Sequence, residues 1–78
     1  MAKLTKAQQS ARVAILRDVE RSGGTDRWSH LHSHGHHYSQ VTACVRRGDL
    51  QEIGGAYHYR ITDAGRLALS ERKEAGNG

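Results

Sequence analysis

The chain has 78 residues and a mass of 8.6 kDa, enough for one small domain that buries about 60% of the surface its unfolded form exposes. So little material leaves no room for a deep catalytic cleft, which argues against an independent enzyme. Hydrophobic residues make up 36%, with nine Ala, thirteen Leu, Ile or Val and no Phe, while the net charge of +4 is too modest to enforce disorder by repulsion.

No apolar run approaches the ~20 residues of a membrane span. The opening MAKLTKAQQSAR lacks the apolar stretch of a secretory signal, so a cytoplasmic protein with no membrane partner is expected. Cys44 alone rules out an internal disulfide and any multi-cysteine zinc site within one chain. A sequence pI near 9.7 favours an acidic partner, of which nucleic acid is the commonest.

Leu4, Ala7, Ala11, Ala14, Ile15 and Val19 recur at three- and four-residue steps, widened by Val13 and Leu16. This predicts a helix over Lys6 to Arg21 with one buried face. Thr5 and Gln8 have the spacing of a capping box, Leu4 stands where a hydrophobic staple would, and Ser22-Gly23-Gly24 ends the helix. The other face carries Lys6, Arg12, Arg17, Asp18, Glu20 and Arg21, read chiefly as a solvated face. Thr25 or Asp26 is expected to cap a short second helix through Trp28 and Leu31 that ends at Gly35. A third is expected from Gln40 to Arg47, capped by Ser39, burying Val41 with Cys44 or Val45 and stopping at Gly48.

The period then changes. Leu50 to Ile53 and Ala56 to Thr62 predict two strands joined by a tight two-residue turn at Gly54-Gly55, with Tyr57, Tyr59 and Ile61 facing inward and His58, Arg60 and Thr62 outward. Thr62 or Asp63 would cap a last helix from Ala64 to Lys73 that buries Leu67, Ala68 and Leu69. Residues 1–73 thus form one domain and residues 74–78 a frayed tail.

The run SQVTACVRRGDLQEIGGAYHYRITDAGRLAL, Ser39 to Leu69, resembles the winged helix-turn-helix family, in its small bacterial or phage form. In that family a recognition helix ends in a basic pair and glycine, a short strand and a wing follow, and a Thr-Asp-x-Gly-Arg type segment opens the closing helix. Arg46-Arg47-Gly48-Asp49-Leu50 and Ile61-Thr62-Asp63-Ala64-Gly65-Arg66 fit those two places. The resemblance implies a mainly α fold, with three helices, a two-stranded wing and a C-terminal helix. It also implies a small transcriptional regulator that binds double-stranded DNA by laying residues 39–47 in the major groove. The chain departs from the pattern in a very short wing and a histidine-rich stretch before the recognition helix.

On such a helix, with Val41 and Val45 as core positions, Ser39, Gln40, Thr42, Ala43, Arg46 and Arg47 remain exposed. Gln40 suits adenine, Arg46 guanine, and Ser39 and Thr42 a base or a phosphate. Arg46 and Arg47 have a plainer alternative role, complementing the negative end of their own helix. Tyr38 either donates to a phosphate or packs on the core. Arg60 meets phosphate or solvent. Trp28 is read as a core residue in preference to a stacking platform.

Five of the six histidines fall in His30-Leu31-His32-Ser33-His34-Gly35-His36-His37. His30 and His34 have the i, i+4 spacing of a helical metal chelate, with His37, His58 or Cys44 as a third ligand. The cluster otherwise serves as a proton-sensitive patch, or donates to DNA at the entrance to the recognition helix through His37. A metal site is not the preferred reading, and no cofactor is expected.

No nucleophile with an oriented base emerges, and neither Gly-Gly pair opens a phosphate-cradling strand-to-helix motif. Beside DNA binding stand two alternatives. One is a winged-helix protein-interaction module, an adaptor or a phage-encoded inhibitor of a host complex, marked by exposed Tyr38 and Tyr57. The other is a metal-responsive regulator. A symmetric homodimer through the first or last helix would supplement so thin a core.

Overall fold

The computed structural model describes residues 4–55 and 57–77, with side chains described as far as Ser70. Helix α1 spans Lys6–Arg21, as its periodicity and caps require: the Gln8 N–H donates to Thr5 Oγ1 at 3.1 Å and the Thr5 N–H to Gln8 Oε1 at 2.9 Å. Its buried stripe is narrower than the apolar pattern suggests, because Ile15, Leu16 and Val19 are fully buried whereas Ala7 and Ala14 face solvent.

Thr25 and Asp26 are not helix caps. They form strand β1 (Thr25–Arg27) with Arg27, and helix α2 (Trp28–Ser33) begins directly after it. Helix α3 (Tyr38–Arg47) starts two residues earlier than Gln40, so Ser39 lies inside it and is not its cap. The preceding His37 makes no side-chain capping bond. Strands β2 (Leu50–Glu52) and β3 (His58–Ile61) follow, and then helix α4 (Asp63–Asn77). The expected tail is thus helical as far as Asn77, while its side chains and Gly78 lie outside the described residues.

The result is a small mixed α/β domain with four helices and one antiparallel sheet of order β1-β3-β2, a three-stranded sheet where a two-stranded hairpin was expected. β3 is central: Asp26 pairs with Tyr59 on one side, and Glu52 pairs with Tyr59 on the other. The Ile53 N–H donates to the His58 carbonyl, so the turn is longer than two residues, and Ala56, expected to open the second strand, lies outside the described residues. Tyr57 therefore leaves the strand and does not share the inward face of Tyr59 and Ile61.

The core draws on every layer, with Ile15, Leu16 and Val19 from α1, Leu31 from α2, Val41 and Cys44 from α3, and Leu50, Tyr59 and Ile61 from the sheet. Trp28, Val45, Ala68 and Leu69 pack around it. On α3 it is Cys44 that is fully buried and Val45 that is half-buried. Leu67, expected inside, is 59% exposed. Its helix turns Gly65, Ala68 and Leu69 inward, and that rotation is set by a close backbone approach. A Cβ on Gly65 would stand 2.3 Å from the Asp49 carbonyl oxygen. No helix among the described residues is long and apolar enough to cross a membrane.

Candidate functional site

The C-terminal end of α3 is locked. Gly48 closes it in the left-handed region at φ 88°, and the Asp49 N–H donates to the Cys44 carbonyl at 2.9 Å. The Asp49 carboxylate is 1% exposed and accepts from Arg12 Nε at 2.7 Å and Nη2 at 2.9 Å. Arg47 Nε stands 3.6 Å from the same carboxylate, and its Nη2 lies 3.8 Å from Cys44 Sγ. Burial pushes the Cys44 thiol up, which suits an inert core residue. The Thr62 hydroxyl lies against the Gly48 and Asp49 carbonyls and accepts the Gly65 N–H at 3.0 Å, capping α4.

Arg47 is thus partly committed to this corner, whereas Arg46 is exposed and makes no ion pair among the described residues. Ser39 is exposed one face up the same helix. Thr42 is half-buried and donates to the Ser39 carbonyl at 3.0 Å, and Gln40 and Ala43 are half-buried. The sequence of α3 contains no carboxylate. The exposed side of the helix therefore offers hydroxyl and guanidinium groups and no anion.

Most of the described acidic side chains are engaged elsewhere. Asp18 Oδ2 accepts from His36 Nε2 at 2.6 Å and from His34 Nδ1 at 3.1 Å, pinning the α2–α3 connection to α1. Burial works against ionisation there, but the hydrogen bonds from His36 and then His34 prevail and hold the Asp18 carboxyl below its usual value. Asp26 takes His30 Nδ1 at 2.6 Å and the Arg27 N–H at 2.9 Å, Glu20 pairs with Arg66, and Glu52 accepts the Tyr57 N–H. Lys6, Arg17, Arg21, Arg27 and Arg46 carry no ion pair among the described residues. Among the described residues these five cations outnumber the two carboxylates without an ion pair, Glu52 and Asp63.

The His30 and His34 rings come within 4.1 Å of each other, as their spacing predicts, but the cluster as a whole does not converge on one point. His30 goes to Asp26, His34 and His36 go to Asp18, and His37 is exposed ahead of α3. Among the described residues no group of three His, Cys, Asp or Glu has the geometry to hold a metal ion.

At the N-terminal end of α3 lies an aromatic strip. Tyr38 sits 5.2 Å from Trp28, edge to face, and 6.1 Å from Tyr57, while His32 tilts against Trp28 at 5.3 Å. Tyr38 and Tyr57 are 45% and 54% exposed. Tyr57 has φ 66°, a conformation that costs a non-glycine residue on the order of 1 kcal/mol. Two bonds hold it there, from the Trp28 N–H to the Tyr57 carbonyl at 2.8 Å and from the Tyr57 N–H to Glu52. Below the strip the Tyr59 hydroxyl is buried and within hydrogen-bonding distance of no partner among the described residues. Burial, then the neighbouring Tyr38 and Glu52, push it up to about 12.

Arg60 is exposed as expected, but its Nη2 donates to Gln51 Oε1 at 2.6 Å. It lines a groove with Gly24, Thr25, Asp63 and Arg66, away from the aromatic strip. Sequence reasoning misses Arg27 as a site feature, and weighs the outward turn of Tyr57 only as the mark of a protein-interaction surface. Both follow from β1 and the longer turn, for which the sequence carries no local signal beyond Gly54-Gly55. Compared with protein-family models, curated proteins and solved structures, the chain matches none of them.

Proposed function

We propose that the protein is a winged-helix module that binds double-stranded DNA, with α3 entering the major groove, in the manner of a small regulator. The order α1-β1-α2-α3-β2-β3, with β3 central in the sheet, is compatible with that fold. One observation carries the reading: Arg46 is exposed and makes no ion pair among the described residues, on a helix without a carboxylate and on the same face as Ser39. A guanidinium so placed is free to make a bidentate contact to guanine or to meet a phosphate. Arg47 supports the helix end through Asp49 and is the weaker contact. Arg60 serves only a backbone reaching the far groove.

The test is a salt titration of the full chain against duplex DNA. Arg46→Ala should weaken binding about tenfold and reduce the slope of log affinity against log salt by about one. Absence of binding at low salt, where attraction is strongest, would sink the proposal. A protein-interaction module is the second reading, favoured by the exposed Tyr38 and Tyr57 rings, since tyrosine and tryptophan dominate protein hot spots.

A further inference from the structure

Beside α3, but separate from its outward face, a cleft of about 390 Å³ opens between the start of α2 and the turn after β2. Trp28 and Tyr57 form its walls, and Arg27, Ser29, Gly54 and His58 complete the lining. Tyr38 contacts both wall rings from outside it. Two flat rings, a guanidinium, a hydroxyl and an imidazole face the same space, and among the described residues Arg27 has no ion pair and no carboxylate lines the cleft. A guest that satisfies all of these is flat and carries a negative charge. Tyr57 is also held against its backbone preference, by bonds from the two elements that flank the cleft. Strain of this kind collects at sites that need a side chain in one place.

We infer that this cleft takes an unpaired nucleotide of a nucleic-acid strand, with its base stacked on Tyr57 and Trp28 and its phosphate on Arg27. Base–aromatic stacking tolerates any sequence, because every base offers a π-face. The inference extends the duplex reading of α3 to DNA with a single-stranded junction, yet it stands on different residues. A partner protein is the competing occupant, but a lining rich in donors, with the one neighbouring carboxylate, Glu52, turned to the Tyr57 N–H, suits a polyanion better.

The full chain is titrated with a blunt duplex, with the same duplex carrying a short oligothymidine overhang, and with oligothymidine alone. Trp28, the only tryptophan, reports by fluorescence. The overhang should tighten binding about tenfold and quench Trp28. Tyr57→Gly, which relieves the positive φ and so keeps the melting temperature, should abolish that gain and leave blunt-duplex binding intact. Tyr57→Phe should retain the gain. Equal affinity for blunt and overhanging duplexes without quenching, or an equal loss on both with Tyr57→Gly, overturns the inference. Binding of oligothymidine that needs Tyr57, with none of blunt duplex, supports the cleft and fails the α3 proposal. Binding of no nucleic acid overturns both and points to the protein occupant.

Discussion

The two ends of α3 are built to opposite standards. At the C-terminal end the buried Asp49 carboxylate has two arginines, the carbonyls of Gly48 and Asp49 share a threonine hydroxyl, and α4 is seated closely enough to require glycine at 65. At the N-terminal end no side chain caps the helix, two tyrosines are half-exposed, one of them is strained, and a buried phenol has no partner among the described residues. Folding demands agreement between local preference and global packing, and departures from it gather where a surface has another task. The contrast separates the end of α3 that secures the fold from the end available to a ligand.

The strongest way to break the contrast is to damage the secure end. Arg12→Met leaves Asp49 buried beside Arg47 alone, and removing one partner of a buried pair should cost about 3 kcal/mol. The urea midpoint should fall without a change in slope. Adding Asp49→Leu should recover most of the loss, because the cost lies in the stranded charge and not in the missing attraction. A loss below ~1 kcal/mol in the single variant would mean that this corner is no better secured than the other end.

Gly65→Ala probes the same corner by volume. The added methyl would meet the Asp49 carbonyl oxygen at 2.3 Å and Ile61 Cγ1 at 2.9 Å, and backbone cannot swing aside as a long side chain can. Overpacking should outweigh the ~1 kcal/mol by which Ala is the better helix former, for a net cost of about 2 kcal/mol. The melting temperature should drop by about 10 °C. A rise would show that α4 is loosely seated and that Gly65 serves no close contact.

What could be read in the sequence follows the range of the interactions. The limits of α1, its capping box and the Gly48 stop depend on neighbours within one turn of helix, and all three appear as expected. The Thr62-Asp63-Ala64-Gly65-Arg66 segment was legible as a pattern, and its chemistry is now visible: Thr62 caps, Gly65 admits the Asp49 backbone, and Arg66 reaches Glu20 on α1. β1 was missed because a three-residue strand has no period of its own and exists through its pairing with β3. Tyr57 and Leu67 were placed inside by alternation and by apolarity. A longer turn ejects the first, and the rotation of α4 imposed at Gly65 ejects the second. Of the candidate contacts, Arg46 makes no ion pair among the described residues and Arg47 is drawn to Asp49, a partner that becomes recognisable only once Arg12 is seen on its other side.

The mildest change sharpens the comparison from the loose end. In Tyr59→Phe the ring keeps its place in the core and the unpartnered hydroxyl disappears. Leaving a buried hydroxyl unsatisfied costs at least as much as an ordinary hydrogen bond gains, so the variant should be more stable by about 1 kcal/mol and melt about 5 °C higher. The sign carries the information. A gain would mean that the region under Tyr38 and Tyr57 tolerates an avoidable cost, as expected where stability is not the only demand on the surface above. A loss of similar size would mean that the hydroxyl is satisfied in solution, by water or by Tyr38. The difference between the two ends of α3 would then narrow to the backbone of Tyr57, which Tyr57→Gly tests independently.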